Sequence, residues 1–209
     1  KRMPHDRTLF TQGLVIDRGE LIESGGNYGE SRLLLRTLAD PRPLRTRRLP
    51  ARWFAEGITV HGGKLYLLTW REGLMQRLSL PELEPEQRFG YSGEGWGLAS
   101  DGTHLIQSDG SATLRWRSPD DFSELRRLTV RVGKQSLERL NELEWVNGWL
   151  LANVWLTDSV VAIDPRNTSV LYVEYVNADI LKSTDGGTSF KRVARTATSG
   201  IPSDEPFHF

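Results

Sequence analysis

The sequence predicts an all-β fold of the propeller type, with four-stranded antiparallel blades. Three observations lead there. A short pattern recurs four times, each recurrence opens a strand–turn–strand unit, and no long amphipathic helix interrupts the series. The recurrences start at Phe10-Thr11-Gln12-Gly13-Leu14, Ala55-Glu56-Gly57-Ile58, Gly95-Trp96-Gly97-Leu98 and Leu140-Asn141-Glu142-Leu143. Their equivalent positions, Gly13, Gly57, Gly97 and Glu142, lie 44, 40 and 45 residues apart. A period of about 40–50 residues marks propeller blades or similar stacked modules.

Each repeat justifies its strands in the same order. An apolar first strand, such as Leu14-Val15-Ile16 or Ile58-Thr59-Val60, runs into a glycine turn. Asp101-Gly102 and Asn147-Gly148 supply the positive-φ positions that tight hairpins need. Second strands follow at 20–23, 64–69, 104–108 and 149–155, and third and fourth strands at 32–38 and 44–49, 74–80 and 86–91, and 112–117 and 124–130. Pro41, Pro43, Pro81, Pro85 and Pro119 fall around the outer strands, where a missing N–H costs least. Gln135 to Leu140 is expected to form one helical turn, and Val160 to Asp164 fits the third strand of the fourth repeat.

The pattern changes after Asp164-Pro165. Ser183, Asp185, Gly187, Thr188 and Phe190 match an Asp-box, Ser-x-Asp-x-Gly-x-Thr-x-aromatic. Its expected role is structural: the aspartate caps the N–H groups of a hairpin turn and the aromatic plugs the blade. The reading is one propeller domain over 1–209, with repeats to 164, the Asp-box segment over 165–195 and a tail over 196–209.

Bulk properties exclude several classes. Of 209 residues, 38% are hydrophobic and 26% charged, as in a soluble globular chain. Lys+Arg and Asp+Glu both number 27, so no net field recruits nucleic acid or an anionic membrane. The basic cluster Arg42, Arg45, Arg47, Arg48 reads as a solvated outer strand. Cysteine is absent, which removes disulfides and thiolate chemistry. No apolar run approaches the roughly 20 residues of a membrane helix. No signal peptide is evident before Lys1-Arg2-Met3-Pro4, which reads as a trimmed start.

Several motifs fail on inspection. Gly93-Glu94-Gly95-Trp96-Gly97 lacks the third glycine of a dinucleotide fingerprint and opens no helix. Gly90-Tyr91-Ser92-Gly93 lacks the spacing of a nucleophile elbow. His5, His61, His104 and His208 show no metal spacing. Asn167-Thr168-Ser169 is a glycosylation sequon, a weak signal.

What remains is a ring. In a propeller the first strand of each blade lines the central channel, so the residues just before it gather at one mouth. That places Phe10 and Gln12, Phe54 and Glu56, Trp96, and Asn141 together, with Trp70 and Trp155 arriving from the ends of second strands. One carboxylate, two carboxamides and several aromatics suit a small polar ligand in an apolar box. A carboxyl group walled by aromatics has a raised pKa, because desolvation disfavours the anion. Glu56 is the one ring acid in that setting; a salt-bridged or capping carboxylate is its alternative, and Glu142 is expected to point elsewhere. Trp53, Trp116, Trp145 and Trp149 are assigned to blade packing.

These residues carry a resemblance. Pro4-His5-Asp6, Phe10-Thr11-Gln12-Gly13-Leu14, Glu23-Ser24-Gly25, Tyr28-Gly29, Phe54-Ala55-Glu56-Gly57, Leu68-Thr69-Trp70, Gly95-Trp96-Gly97-Leu98, Ser108-Asp109-Gly110-Ser111, Leu140-Asn141-Glu142-Leu143-Glu144 and Ala152-Asn153-Val154-Trp155 occur in family order. Over residues 4–164 the chain resembles the plant and bacterial glutaminyl cyclases (glutamine cyclotransferases), which are five-bladed β-propellers. The resemblance implies five four-stranded blades, the last atypical or incomplete here. It implies Glu56 as catalytic acid–base, with Phe10, Gln12, Phe54, Trp70, Trp96, Asn141 and Trp155 as pocket residues. It also implies a peptide or protein substrate with N-terminal glutamine, no metal or organic cofactor, and an exported (secreted or periplasmic) protein. Ala55 stands where the family often has Met. The family's last-blade Gly-Lys-Trp-Pro, whose lysine faces the pocket, has no counterpart; Lys182 and Lys191 sit in unrelated context. The change at Ile163-Asp164-Pro165 reads as a chimera joined at a shared turn. The strand count falls two short of five full blades, which leaves strand exchange with a second copy open.

Two function classes follow: cyclisation of N-terminal glutamine to pyroglutamate with release of ammonia, or a non-catalytic binding propeller. A third, glycan binding through the Asp-box, has less behind it.

Overall fold

In a computed structural model, which describes residues 5–167, 171–175 and 179–195, the chain forms four radial sheets and one small hairpin. The first blade runs β1 (Thr11–Asp17), β2 (Glu20–Gly25), β3 (Arg32–Thr37) and β4 (Arg45–Arg48). The second runs β5 (Ala55–His61), β6 (Lys64–Thr69), β7 (Leu74–Leu78) and β8 (Pro85–Gly90). The third runs β9 (Leu98–Ser100), β10 (Leu105–Gln107), β11 (Thr113–Arg117) and β12 (Glu124–Thr129). All three are antiparallel meanders in sequence order, as the alternation and glycine turns require.

Next comes a two-stranded hairpin, β13 (Arg131–Val132) and β14 (Gln135–Ser136). It stands where a helical turn over 135–140 is expected. Gly133 at φ +60° makes the hairpin turn, and its N–H donates to Gly186 O at 2.6 Å. The segment is thus fixed by a tertiary hydrogen bond that local sequence does not announce.

The fourth sheet has six strands in order: β15 (Leu140–Val146), β16 (Trp149–Val154), β17 (Ser159–Ile163), β18 (Leu171–Tyr175), β19 (Asp179–Ser183) and β20 (Lys191–Arg195). The five-bladed ring implied by resemblance is therefore not what the described residues form. They make four blades, the last extended by the Asp-box hairpin. The reason is chain length. Tyr175 and Asp179 are four positions apart, a reach of at most about 14 Å. Returning from an outer edge to the ring centre means crossing three strand spacings of about 4.8 Å and a strand length besides. So β19 turns back and pairs with β18.

The Asp-box does the turn work its residues predict. Asp185 Oδ1 accepts from Ser189 N at 2.9 Å and from Ser183 Oγ at 2.8 Å, while Ser183 Oγ accepts from Gly187 N at 2.7 Å. Phe190 packs on the core shared by blades three and four. The sequon's Thr168 and Ser169 and the tail 196–209 lie outside the described residues.

Blades pack face to face through apolar layers. Ile22, Leu33 and Leu35 of blade one meet Ile58, Leu65 and Leu67 of blade two. Ile106 and Leu114 of blade three meet Leu143, Leu150 and Val161 of blade four. Near the axis the repeat glycines explain themselves. A Cβ on Gly13 would lie 2.7 Å from Ile58 N, one on Gly57 2.4 Å from Trp96 O, and one on Gly97 2.1 Å from Asn141 O. Each glycine admits the backbone of the next blade's inner strand. In the fourth repeat the position is Glu142, and its side chain instead reaches across the ring, where Leu14 N donates to Glu142 Oε1 at 3.3 Å.

Candidate active site

The site lies at one mouth of the central channel, and the inner strands aim its polar side chains there by a shared device. Register slips by one residue between Thr11 and Gly13, between Ala55 and Ile58, and between Leu140 and Leu143. These β-bulges contain Gln12, Glu56 and Asn141. A bulge bends its strand and re-aims a side chain, so three equivalent bulges turn two carboxamides and one carboxyl group to one place. Hydroxyls hold the bulges from the neighbouring blade: Ser24 Oγ donates to Glu56 O at 2.6 Å, and Ser108 Oγ to Asn141 O at 2.7 Å.

Phe10, Gln12, Phe54, Glu56, Trp70, Trp96, Asn141 and Trp155 line one cavity of about 170 Å³. The structure thus brings all eight sequence-selected residues together. Trp70 and Trp155 sit one residue past the ends of β6 and β16, where Trp70 N donates to Phe54 O and Trp155 N to Arg139 O. The aromatic wall is built from two groups of rings. Phe54 meets Phe10, Tyr28 and Trp70 at centroid distances of 6.3, 5.4 and 5.4 Å, and Trp96 meets Trp155 edge-on at 5.5 Å. Phe10 and Trp155 form the outer rim, 54% and 47% exposed, while Glu56 at the floor is 7% exposed.

Burial dominates the electrostatics of Glu56. Desolvation pushes its carboxyl up to about 9, and the negative charges of Glu94 and Glu72 add to the rise. No hydrogen bond or cation among the described residues offsets it. At neutral pH the group is a protonated acid facing an apolar cavity.

Sequence reasoning missed the residues behind the wall. Glu94 Oε2 accepts from the indole Nε1 of both Trp70, at 2.8 Å, and Trp96, at 2.9 Å, while its Oε1 accepts from Arg71 Nε at 3.1 Å. Burial opposes ionisation of Glu94, but these donors outweigh it and hold the group below the usual carboxylate range. Glu72 Oε2 accepts from Phe54 N at 3.3 Å and its carboxylate accepts from the Tyr28 hydroxyl. Arg71 stacks its guanidinium 3.7 Å from the Trp70 ring. Two glycines make room: a Cβ on Gly26 would lie 2.3 Å from Phe54, and one on Gly110 2.6 Å from Trp96. The available signal was an acid within two residues of two of the three pocket tryptophans, Glu72 after Trp70 and Glu94 before Trp96.

Glu142 does not line the cavity. Its Oε2 is buried without a partner among the described residues, and burial holds its carboxyl well above the ordinary value. Of the tryptophans assigned to packing, Trp53 and Trp116 are buried, and Trp145 packs against the core of blades three and four. A larger cleft of about 450 Å³, between β13–β14 and blade four, has Asp158 as its one titratable lining residue and so offers little chemistry. Among the described residues no cluster of His, Cys, Asp or Glu is arranged to hold a metal ion.

Comparison with known proteins places this geometry. A family model described as glutamine cyclotransferase matches residues 1–194, a span that crosses the change of pattern at 164. A glutaminyl-peptide cyclotransferase of Arabidopsis thaliana is 34% identical over 170 residues, covering 80% of this chain and 53% of that protein. The chain therefore spans about half the length of this curated relative. The crystal structure of Myxococcus xanthus glutaminyl cyclase superposes with a TM-score of 0.76 at 32% identity, covering 92% of each chain. A WD40 domain of Neurospora crassa Pan2, at 10% identity and a TM-score of 0.63, shares the propeller fold alone. Repeats, pocket and matches together show that the chain belongs to the glutamine cyclotransferase family.

Proposed function

We propose that this chain cyclises N-terminal glutamine of a peptide or protein to pyroglutamate, releasing ammonia. The observation that carries the reading is the buried Glu56 carboxyl on the floor of an aromatic cavity flanked by Gln12 and Asn141. A cavity of about 170 Å³ is smaller than the roughly 300–1,000 Å³ of sites for drug-sized ligands. It suits one side chain and its amine, with the rest of the peptide leaving past Phe10 and Trp155.

In this mechanism the neutral α-amine attacks the side-chain amide carbon and the C–N bond to the amide nitrogen breaks. The forming ring nitrogen must lose a proton and the departing nitrogen must gain one. Protonated Glu56 gives its proton to the leaving nitrogen, which departs as ammonia, and takes one from the ring nitrogen, so it ends as it began. General acid–base help of this kind contributes about 10²–10⁴-fold. Gln12 and Asn141 orient the substrate amide and amine, which adds a proximity term. The aromatic walls exclude the water that would otherwise hydrolyse the amide.

The test is ammonia release from a glutaminyl dipeptide, with an asparaginyl dipeptide as control. Release from the first alone is expected. No release from either would leave a binding propeller and overturn the reading.

A further inference from the structure

One carboxylate behind the cavity wall does more than its exposure suggests. Trp70 follows β6 in blade two, and Trp96 precedes β9 in blade three, so the two indoles belong to different sheets. Their backbones meet where Gly95 N donates to Trp70 O at 2.8 Å, and their side chains are joined as well. Glu94 Oε2 accepts from both indole N–H groups, at 2.8 and 2.9 Å, and Glu94 Oε1 is held in turn by Arg71. A buried indole N–H needs an acceptor, and bonds to an ionised acceptor are about twice as strong as neutral ones. Three donors on one carboxylate fix its position and, through it, the spacing of two walls.

Building on the cyclase reading above, we propose that Glu94 is a positioning residue of the cyclisation site, locking Trp70 and Trp96 with one oxygen and holding a negative charge behind the wall that Glu56 faces. The charges that act on Glu56 among the described residues are acidic. Glu94 follows β8, Glu72 follows β6, and Glu142 lies on β15, the inner strand of blade four. The nearby cation, Arg71, is on the Glu94 carboxylate and the Trp70 ring rather than on Glu56. Removing the Glu94 charge therefore removes repulsion that favours the protonated form of Glu56. The acid a proton shuttle needs is kept neutral partly by a residue that never touches substrate.

Two variants separate the two parts. Glu94→Gln keeps an oxygen for the indoles and loses the charge; Glu94→Ala loses both. Two readouts are taken for each: the pH dependence of kcat/KM for a glutaminyl dipeptide, and the indole N–H proton resonances with their solvent exchange. The alkaline limb of the profile belongs to deprotonation of Glu56, while the acid limb belongs to the substrate amine. Glu94→Gln should move the alkaline limb to lower pH, leave the acid limb in place and keep two slowly exchanging indoles. Glu94→Ala should speed exchange of both and lower kcat/KM by about 10²-fold, the scale of a small misplacement in a site. An unmoved alkaline limb in Glu94→Gln, or unchanged indole exchange in Glu94→Ala, would overturn the proposal. If the unmodified chain releases no ammonia, the cyclase reading fails by itself. The locking role is then decided by the indole signals, and the charge role by a carbon-13 titration of Glu56 in the chain and in Glu94→Gln.

Discussion

Glu56 shows what a buried acid costs its fold. The carboxyl is 7% exposed and its protonation midpoint is pushed to about 9 by burial. Because the folded value lies above the ordinary 4.5, the contribution of this group to stability is fully present below pH 4.5 and is lost as pH rises towards 9. By pH 7 that loss is on the order of 3 kcal/mol. Glu56→Gln carries no such loss. It should abolish turnover by about 10²–10⁴-fold while raising the midpoint of urea unfolding, with a gain that grows from pH 5 to pH 9. A variant that is inactive and equally unstable at every pH would contradict this account. All eight pocket residues were legible in the sequence because they sit at fixed offsets from one repeated position, Gly13, Gly57, Gly97 or Glu142. Glu72 and Glu94 were not, since an acid in a loop beside a tryptophan has no period, and its partner is set by the meeting of two blades.

At the scale of the element, the inner strand is the working part. Its glycine is dictated by neighbouring backbone rather than by a turn. Gly97→Ala would place a Cβ 2.1 Å from Asn141 O and 2.8 Å from Glu142 Cα. Backbone cannot give way as a side chain can, so the expected loss is more than about 2 kcal/mol, read by chemical denaturation. Activity should fall too, because the displaced strand carries Asn141. Glu142 occupies the fourth of these positions, and its Oε1 links β15 to β1 through Leu14 N–H. Glu142→Gln keeps that acceptor and should raise stability by a margin that grows as pH rises above 4.5, since burial raises the carboxyl. Glu142→Ala should cost about 1–2 kcal/mol, read the same way. The period of the repeats revealed these strands. The bulges at Gln12, Glu56 and Asn141 did not show, because one extra residue leaves the apolar alternation outside it unchanged. The 131–136 hairpin was equally hidden, since its anchor is Gly186, far along the chain.

For the molecule as a whole, blade shape was readable and blade number was not. Four-stranded meanders follow from local alternation and turns, whereas the last boundary depends on whether β19 starts a new sheet or extends an old one. The short connection from Tyr175 decides for extension. The Asp-box hairpin then closes blade four, and Asp185→Ala should loosen it, with faster amide exchange over β19 and β20 than over blade two. What the ring achieves is convergence: four sheets bring one acid, two amides and an aromatic wall to one cavity. That claim is tested most directly by following the side-chain carboxyl carbon of Glu56 by carbon-13 NMR in the intact chain, assigned by difference against Glu56→Gln. The account predicts a midpoint near pH 9; a midpoint between about 4 and 5, the ordinary range of an exposed glutamate, would contradict it.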